Sequence, residues 1–231
     1  MQANRRSFLG GTFAACVVTA RAAEAASATA TATRCFDLFR GAARIGRQSV
    51  TVARSGSQVT VKVDIDISVR IVGVAIYRYT LASSEVWDSG RLMRLDAVTN
   101  DNGSRQVAAA RRESGRLAIE GSSYSGALDG NPGATTYWSP AFLKRSVWIS
   151  TQDAKPLSIT ARSGGAERFP VPGGAVSVTR WRIGGDLTDL DLLYDRSGEW
   201  IGSEFQARGE TVRIATLDLD AALAPLWVDA A

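Results

Sequence analysis

The chain has 231 residues, 45% of them hydrophobic, and a formal net charge of +4. That size and composition support a buried core in one ordinary domain or a small pair, and exclude a disordered chain. It holds no histidine, so Ser-His-Asp and Cys-His catalysis are excluded, a typical zinc or copper site is not expected, and no cofactor is expected.

The N-terminus reads as an export signal. Arg5-Arg6-Ser7-Phe8-Leu9 has the twin-arginine pattern, and residues 10–20 are weakly apolar and rich in Gly, Ala and Thr. That stretch falls short of the ~20 residues a membrane helix needs. Arg21 then precedes Ala23-Glu24-Ala25, a small-x-small site, so cleavage is expected after Ala25, with Ala28 as second choice. Phe13-Ala14-Ala15-Cys16 loosely matches a lipobox, which leaves a lipoprotein as the minor alternative. The expected organisation is a signal over 1–25, a disordered linker over 26–33, and one β-rich domain over 34–231. Its expected location is the periplasm, with the Tat translocase as a transient partner.

The mature chain would carry a charge near +2 and no basic cluster, so no nucleic-acid partner is expected. It would hold a single thiol, Cys35, read as a small apolar residue near the start of the first strand. No further segment is apolar enough to span a membrane as a helix.

From there the chain reads as strands and turns. After the strand that begins near Cys35, another is expected over 48–54. Residues 57–71 alternate without a break, Val59, Val61, Val63, Ile65, Ile67, Val69 and Ile71 against polar partners, which fits a strand and no helix. At ~3.4 Å per residue it would run about 50 Å, so it must curve or twist strongly. Strands are next expected over 74–82, a further one ending at Trp87, and then 92–99, 106–112 and 116–121. Asp88-Ser89-Gly90, Asn102-Gly103 and Ser114-Gly115 supply the turns. Residues 122–136 are polar and are read as a mobile loop. Ser139-Pro140 looks like an N-cap and first helical residue, opening a short helix through Arg145. Strands follow over 146–151, 156–162, 167–171, 175–183, 187–194, 199–206 and 210–217, and a tail over 223–228 is expected to pack on the sheet. The fold class is therefore all-β: a highly curved antiparallel sheet or an open up-and-down barrel with one short helix.

Several segments resemble a known family. They are Phe36-Asp37-Leu38-Phe39-Arg40, Tyr77-Arg78-Tyr79, Glu85-Val86-Trp87, Thr136-Tyr137-Trp138, Leu193-Tyr194-Asp195 and Gly198-Glu199-Trp200-Ile201-Gly202. Together they resemble an uncharacterised family of proteobacterial exported proteins, a domain of unknown function. The chain also looks distantly similar to other periplasmic open-barrel families. The resemblance spans about 35–217, implies a β-rich periplasmic protein, and carries over no catalytic residue. Leu193 departs from it, standing where an aromatic is expected beside Tyr194.

Three residue groups are candidates for function. Tyr77, Tyr79, Trp87, Tyr137, Trp138, Trp148, Tyr194 and Trp200, with Trp181, combine apolar area with a polar tip and suit a cleft for an amphipathic ligand. Their competing role is to fill the core. The acids Asp186, Asp189, Asp191 and Asp195, and the pair Asp64 and Asp66, match no calcium motif and fit turns and solvated faces. Glu85, Asp96 and Asp191 are the candidates for carboxylate hydrolysis. Arg78, Arg94, Arg180 and Arg182 lie within strands and are read as surface ion pairs. The leading functional reading is a non-enzymatic periplasmic binding module for an amphipathic or apolar ligand such as a lipid. The alternatives are a carboxylate-based hydrolase of envelope glycans and an envelope protein-interaction domain.

Overall fold

The computed structural model describes residues 29–71, 74–207, 209–220 and 222–227. The export signal, its cleavage at Ala25 and Cys16 lie outside those residues. So does the 26–28 part of the expected linker.

The described residues form one 15-stranded sheet. In chain order its strands are β1 Ala30–Arg40, β2 Ala43–Ser55, β3 Gln58–Ile71, β4 Val74–Asp88, β5 Arg91–Asp101, β6 Ser104–Glu113 and β7 Arg116–Gly121. They continue as β8 Ser125–Leu128, β9 Gly133–Ala134, β10 Val147–Ile149, β11 Pro156–Val171, β12 Gly174–Gly185, β13 Leu190–Tyr194, β14 Trp200–Ala207 and β15 Glu210–Thr216. Neighbouring strands run antiparallel except β9 beside β10. The sheet order is β8 back to β1, then β15 back to β9. Two meanders are thus joined where β1 pairs with β15 through Phe36↔Thr216 and Leu38↔Ile214. The sheet curls without closing and ends in the short strands β8 and β9.

Alternation decides which side chains go inside. Phe36 and Leu38, Val50 and Val52, and Val59, Val61 and Val63 are all buried. Leu92 and Leu95, Leu117 and Ile119, Leu190 and Leu192, and Ile214 belong to the same core. Both meanders therefore contribute to one interior. A second, smaller core lies on the other face of the sheet. There Phe169 and Val171 of β11 and Val178 of β12 cover Leu193, Ile201 and Ala215. The distal half of the β11–β12 hairpin reaches that position after a bulge between Ser163 and Gly165.

The structure departs from the sequence reading at several boundaries. The 30–33 part of the expected linker is strand: Ala30 to Thr33 pair with Arg54 to Thr51. Because β1 starts there, Cys35 lies in mid-strand, half-buried. The expected strands over 74–82 and up to Trp87 are one strand, as are those over 156–162 and 167–171. A bulge bends the chain without stopping its ladder. The expected loop over 122–136 contains β8 and β9, and Pro132, Gly133, Ala134 and Thr136 are buried in it. Its polar side chains find partners, since the Thr135 hydroxyl meets that of Thr151 and the Asn131 amide bridges to Gly90 O and Leu92 N. The helix is a 3-10 turn, Pro140–Lys144, and Ser139 does cap it by accepting from Ala141 N. A second 3-10 turn, Ala224–Leu226, packs the tail on the sheet with Leu223 and Trp227 buried.

Gly202 on β14 shows why a glycine is needed under the second core. A Cβ there would collide with the Ile214 carbonyl and with the Phe169 ring. Gly202→Ala is therefore expected to cost about 1–3 kcal/mol by overpacking. That would read as a Tm fall of roughly 5 °C, and an unchanged Tm would remove Gly202 from this role.

Candidate functional site

The inner face has two unlike ends. One is closed by aromatic rings. Trp87 of β4, Trp138, Phe142 and Trp227 stack edge-on or tilted, with centroids 5.1–6.0 Å apart. Indole N–H groups buried there need acceptors. Glu85, two residues before Trp87 and so on the same inward face, is fully buried and supplies them for Trp87 and Trp138, while the buried Trp227 Nε1 meets no acceptor among the described residues. Its Oε2 accepts from Trp87 Nε1 at 2.7 Å and from Trp138 Nε1 at 3.1 Å, while Oε1 accepts from the Thr136 hydroxyl at 2.6 Å. Arg145 covers the cluster, its guanidinium 5.1 Å from the Trp87 ring centroid and 5.2 Å from that of Phe142. It donates to the Pro132 and Gly90 carbonyls at 2.8 Å each. Burial pushes the Glu85 carboxyl above its ordinary value, opposed by the three donors and by Arg145. Burial lowers Arg145 to about 10, which leaves it protonated at neutral pH.

A second buried pair lies near the tail. Arg34 meets Glu199 at 3.4 Å, and Glu199 accepts from Ala224 N at 2.6 Å, which ties the second 3-10 turn to β14. Beside it a cleft of about 570 Å³ is walled by Val176, Ile201, Leu219 and Pro225.

The opposite end of the inner face is not capped by rings. A single register row runs Tyr79↔Ile67, Ile67↔Gly46, Gly46↔Leu38, Leu38↔Ile214, Ile214↔Ser203, Ser203↔Leu192 and Leu192↔Trp181. The middle of this row is buried. Its two ends, Ile67 with Tyr79 and Trp181, pack on the core yet are only partly buried. Ile45, Ile65, Leu187 and Phe205 share that condition. Tyr137 lies deeper, half-buried, its ring 5.8 Å from Trp148 and 6.1 Å from Trp200. Its backbone is held at φ 58°, in the left-handed region, and its carbonyl accepts from the Tyr194 hydroxyl at 2.7 Å. Burial raises the phenol of Tyr137, with a further push from Tyr79. Tyr79 itself is raised to about 12 by burial and donates to Gln152 Oε1 at 3.4 Å.

The expected aromatic set therefore divides. Trp87, Trp138, Trp148, Tyr194 and Trp200 are buried and packed on other rings or on backbone. Tyr77, Tyr79 and Tyr137 are half-buried, and the last two belong to the open inner face. Phe205, Leu187 and the isoleucines were missed as site residues. An isolated Phe in Glu204-Phe205-Gln206 carries no cluster signal, and Ile65 and Ile67 look like ordinary members of an alternating strand.

The polar candidates do not gather. Glu85 faces inward, Asp96 is bound by Arg94 and Arg111, and Asp191 by Arg180 and Arg182, so no carboxylate pair is assembled from these three. Arg180 holds Glu167, Asp191 and Glu204 together at 2.6–2.8 Å, and Arg78 reaches Asp66 at 3.5 Å. The strand arginines are thus surface ion pairs, as the sequence suggests. Asp186 accepts from Ser158 N, and Asp195 organises its own turn by accepting from Ser197 N and Glu199 N. Asp189 takes a turn conformation at φ 56°.

Glu85 yields a two-part prediction. Its pKa is raised on folding, so its contribution is fully present below the ordinary 4.5 and is lost as pH rises towards the folded value. Glu85→Gln keeps an acceptor for the indoles and should flatten stability against pH above 4.5. Glu85→Ala leaves three buried donors without an acceptor and should cost about 3 kcal/mol or more. Denaturant titrations across pH check both, and equal pH slopes for Glu85→Gln and the parent chain would contradict the assignment.

Comparison with known proteins agrees with this architecture. The chain is similar to a crystal structure of a β-barrel-like protein of a domain of unknown function, DUF1849, from Brucella abortus. The TM-score is 0.54 at 15% sequence identity, over 83% of this chain and 97% of that one. At that identity the likeness shows the fold. No curated protein matches the chain. A family model described as a domain of unknown function, DUF6134, matches residues 36–216, from the buried Phe36 of β1 to the last residue of β15, and the chain belongs to that family.

Proposed function

We propose that the chain is a non-enzymatic binding module that works outside the cytoplasm and takes an amphipathic or apolar ligand, such as a lipid, against its open inner face. The observation that carries this reading is the inner apolar row that outruns its own burial. Leu38, Ile214 and Leu192 are covered, while Ile67, Tyr79 and Trp181 on the same row are only partly buried. Apolar area left wet forgoes about 25 cal/mol per Å², so a ligand covering these side chains would recover that stabilisation. Tyr79 and Tyr137 would offer hydroxyls to a polar head, and both stay protonated at neutral pH because burial raises them.

The buried rings take a supporting part. Trp148 and Trp200 hold Tyr137 from beneath, and Trp87 and Trp138 close the far end around Glu85. The hydrolase alternative gains no such support, because Glu85 points inward while Asp96, one register step away on β5, faces outward to Arg94 and Arg111, and Asp191 is held by arginines on another strand. The export reading rests on Arg5-Arg6 and the cleavage site at Ala25, and it supplies the periplasmic setting.

Two measurements test the proposal. Binding of an apolar fluorophore to the mature chain should fall about tenfold in Trp181→Glu and Phe205→Glu, with far-UV circular dichroism unchanged. Probe binding that is absent in the parent, or untouched by both changes, would sink the ligand reading. Replacing Arg5 and Arg6 by Lys should leave the full-length chain in the cytoplasmic fraction. Unchanged export would overturn the twin-arginine route alone.

A further inference from the structure

We propose that the end of the β3–β4 hairpin is a membrane-docking wedge that seats on the surface of an anionic lipid bilayer. The register isolates this ribbon. Pairing of β2 with β3 ends at Gly46↔Ile67, and pairing of β4 with β5 ends at Tyr79↔Asp101. The hairpin itself continues through Ser68↔Arg78, Val69↔Tyr77 and Arg70↔Ala75. Its last residues are thus a two-stranded ribbon without a flanking strand among the described residues. Such a ribbon is marginal alone in water and needs a packing partner.

Its side chains are the wrong ones for solvent. Val74 is 66% and Ile76 49% exposed, two of the exposed large apolar residues among the described ones. The register shifts between Val69 and Arg70, which adds Ile76 as an extra residue on β4. The chemistry around the apolar tip selects the occupant. Residues 68–78 contain Arg70 and Arg78 and no acid, and with Arg78 meeting Asp66 at 3.5 Å the ribbon and its ion-pair partner keep one net positive charge. Both arginines are exposed, and Tyr77 is half-buried between the apolar tip and the barrel. Apolar tip, tyrosine collar and the flanking Arg70 match the layers of a bilayer surface: acyl chains, headgroup level and anionic phosphates. A second copy of this chain would bring the same net positive charge to the contact and is disfavoured by charge. The wedge needs no ligand on the inner face, so it stands apart from the binding reading.

The test is flotation of the mature chain with vesicles. Vesicles of phosphatidylcholine mixed with phosphatidylglycerol should carry the protein, and vesicles of phosphatidylcholine alone should carry it much less. Val74→Asp combined with Ile76→Asp should weaken binding about tenfold or more. Arg70→Ser should weaken it about fivefold on the anionic vesicles only. Val98→Asp, which changes an exposed apolar residue on β5 outside the ribbon, should bind as the parent does. Thermal melts of each variant check that the fold is kept. No flotation of the parent, equal flotation with both vesicle types, or an equal loss in Val98→Asp would overturn the proposal. So would a concentration-dependent dimer in sedimentation velocity that the tip variant abolishes, since the ribbon would then pair copies. Fluorophore binding in the tip variant should match the parent, which separates failure of the wedge from failure of the ligand site.

Discussion

The pairing of β1 with β15 determines how everything else in this molecule is arranged. Each meander presents an apolar inner face that it cannot bury alone. When Phe36 and Leu38 align with Thr216 and Ile214, the two sheets become one and their apolar faces turn towards a shared interior. The core then draws Val61 from the third strand and Leu192 from the thirteenth into the same packing. Long strands help, because right-handed twist accumulates along them and curls the sheet without a closing pair of edges. The remaining gap is held by shorter contacts. Gly121 fits tightly against Ala154 and the Asp153 carbonyl, and Ser123 N donates to that same carbonyl at 3.0 Å.

A shared interior has two ends, and this chain finishes them differently. At one end large aromatic rings are packed to contact, and a single carboxylate satisfies both indole donors that face it. That arrangement costs the desolvation of Glu85 and gains a fixed geometry for four rings, because a satisfied polar group in a core specifies one packing. At the other end the apolar lining continues without rings to cap it. The difference between the ends is what gives the molecule a direction: a floor of packed rings and a rim whose apolar lining is only partly buried. The β3–β4 ribbon rises from that rim, since Tyr79 belongs to the last row shared with neighbouring strands and Val74 lies beyond it.

Much of this was legible in the sequence. Unbroken alternation over 57–71 named a long strand, which the structure places at Gln58–Ile71, and turn glycines marked the hairpins. Ser139-Pro140 marked a helical turn because an N-cap and a fixed φ are local properties. What stayed hidden depends on pairing between distant residues. The inward positions of β4 read Leu81, Ser83, Glu85 and Trp87, so only half look apolar, and Glu85 gives no sign that it is buried. Its burial follows from Thr136 and Trp138, which arrive from a segment that looks like a loop. The aromatics stand out in the sequence as a group, but a ring's position along the inner face is a matter of register. Trp148 and Trp181 look alike in the chain and end up as buried floor and half-exposed wall.

The central claim is that the open inner face is built to be covered by an amphipathic or apolar molecule. It is tested most directly by native mass spectrometry of the mature chain purified from cells that express it naturally. The account predicts a reproducible extra mass, lost on denaturation and extractable into organic solvent. A chain that flies at its bare mass, with the fold intact and after gentle purification, would contradict it.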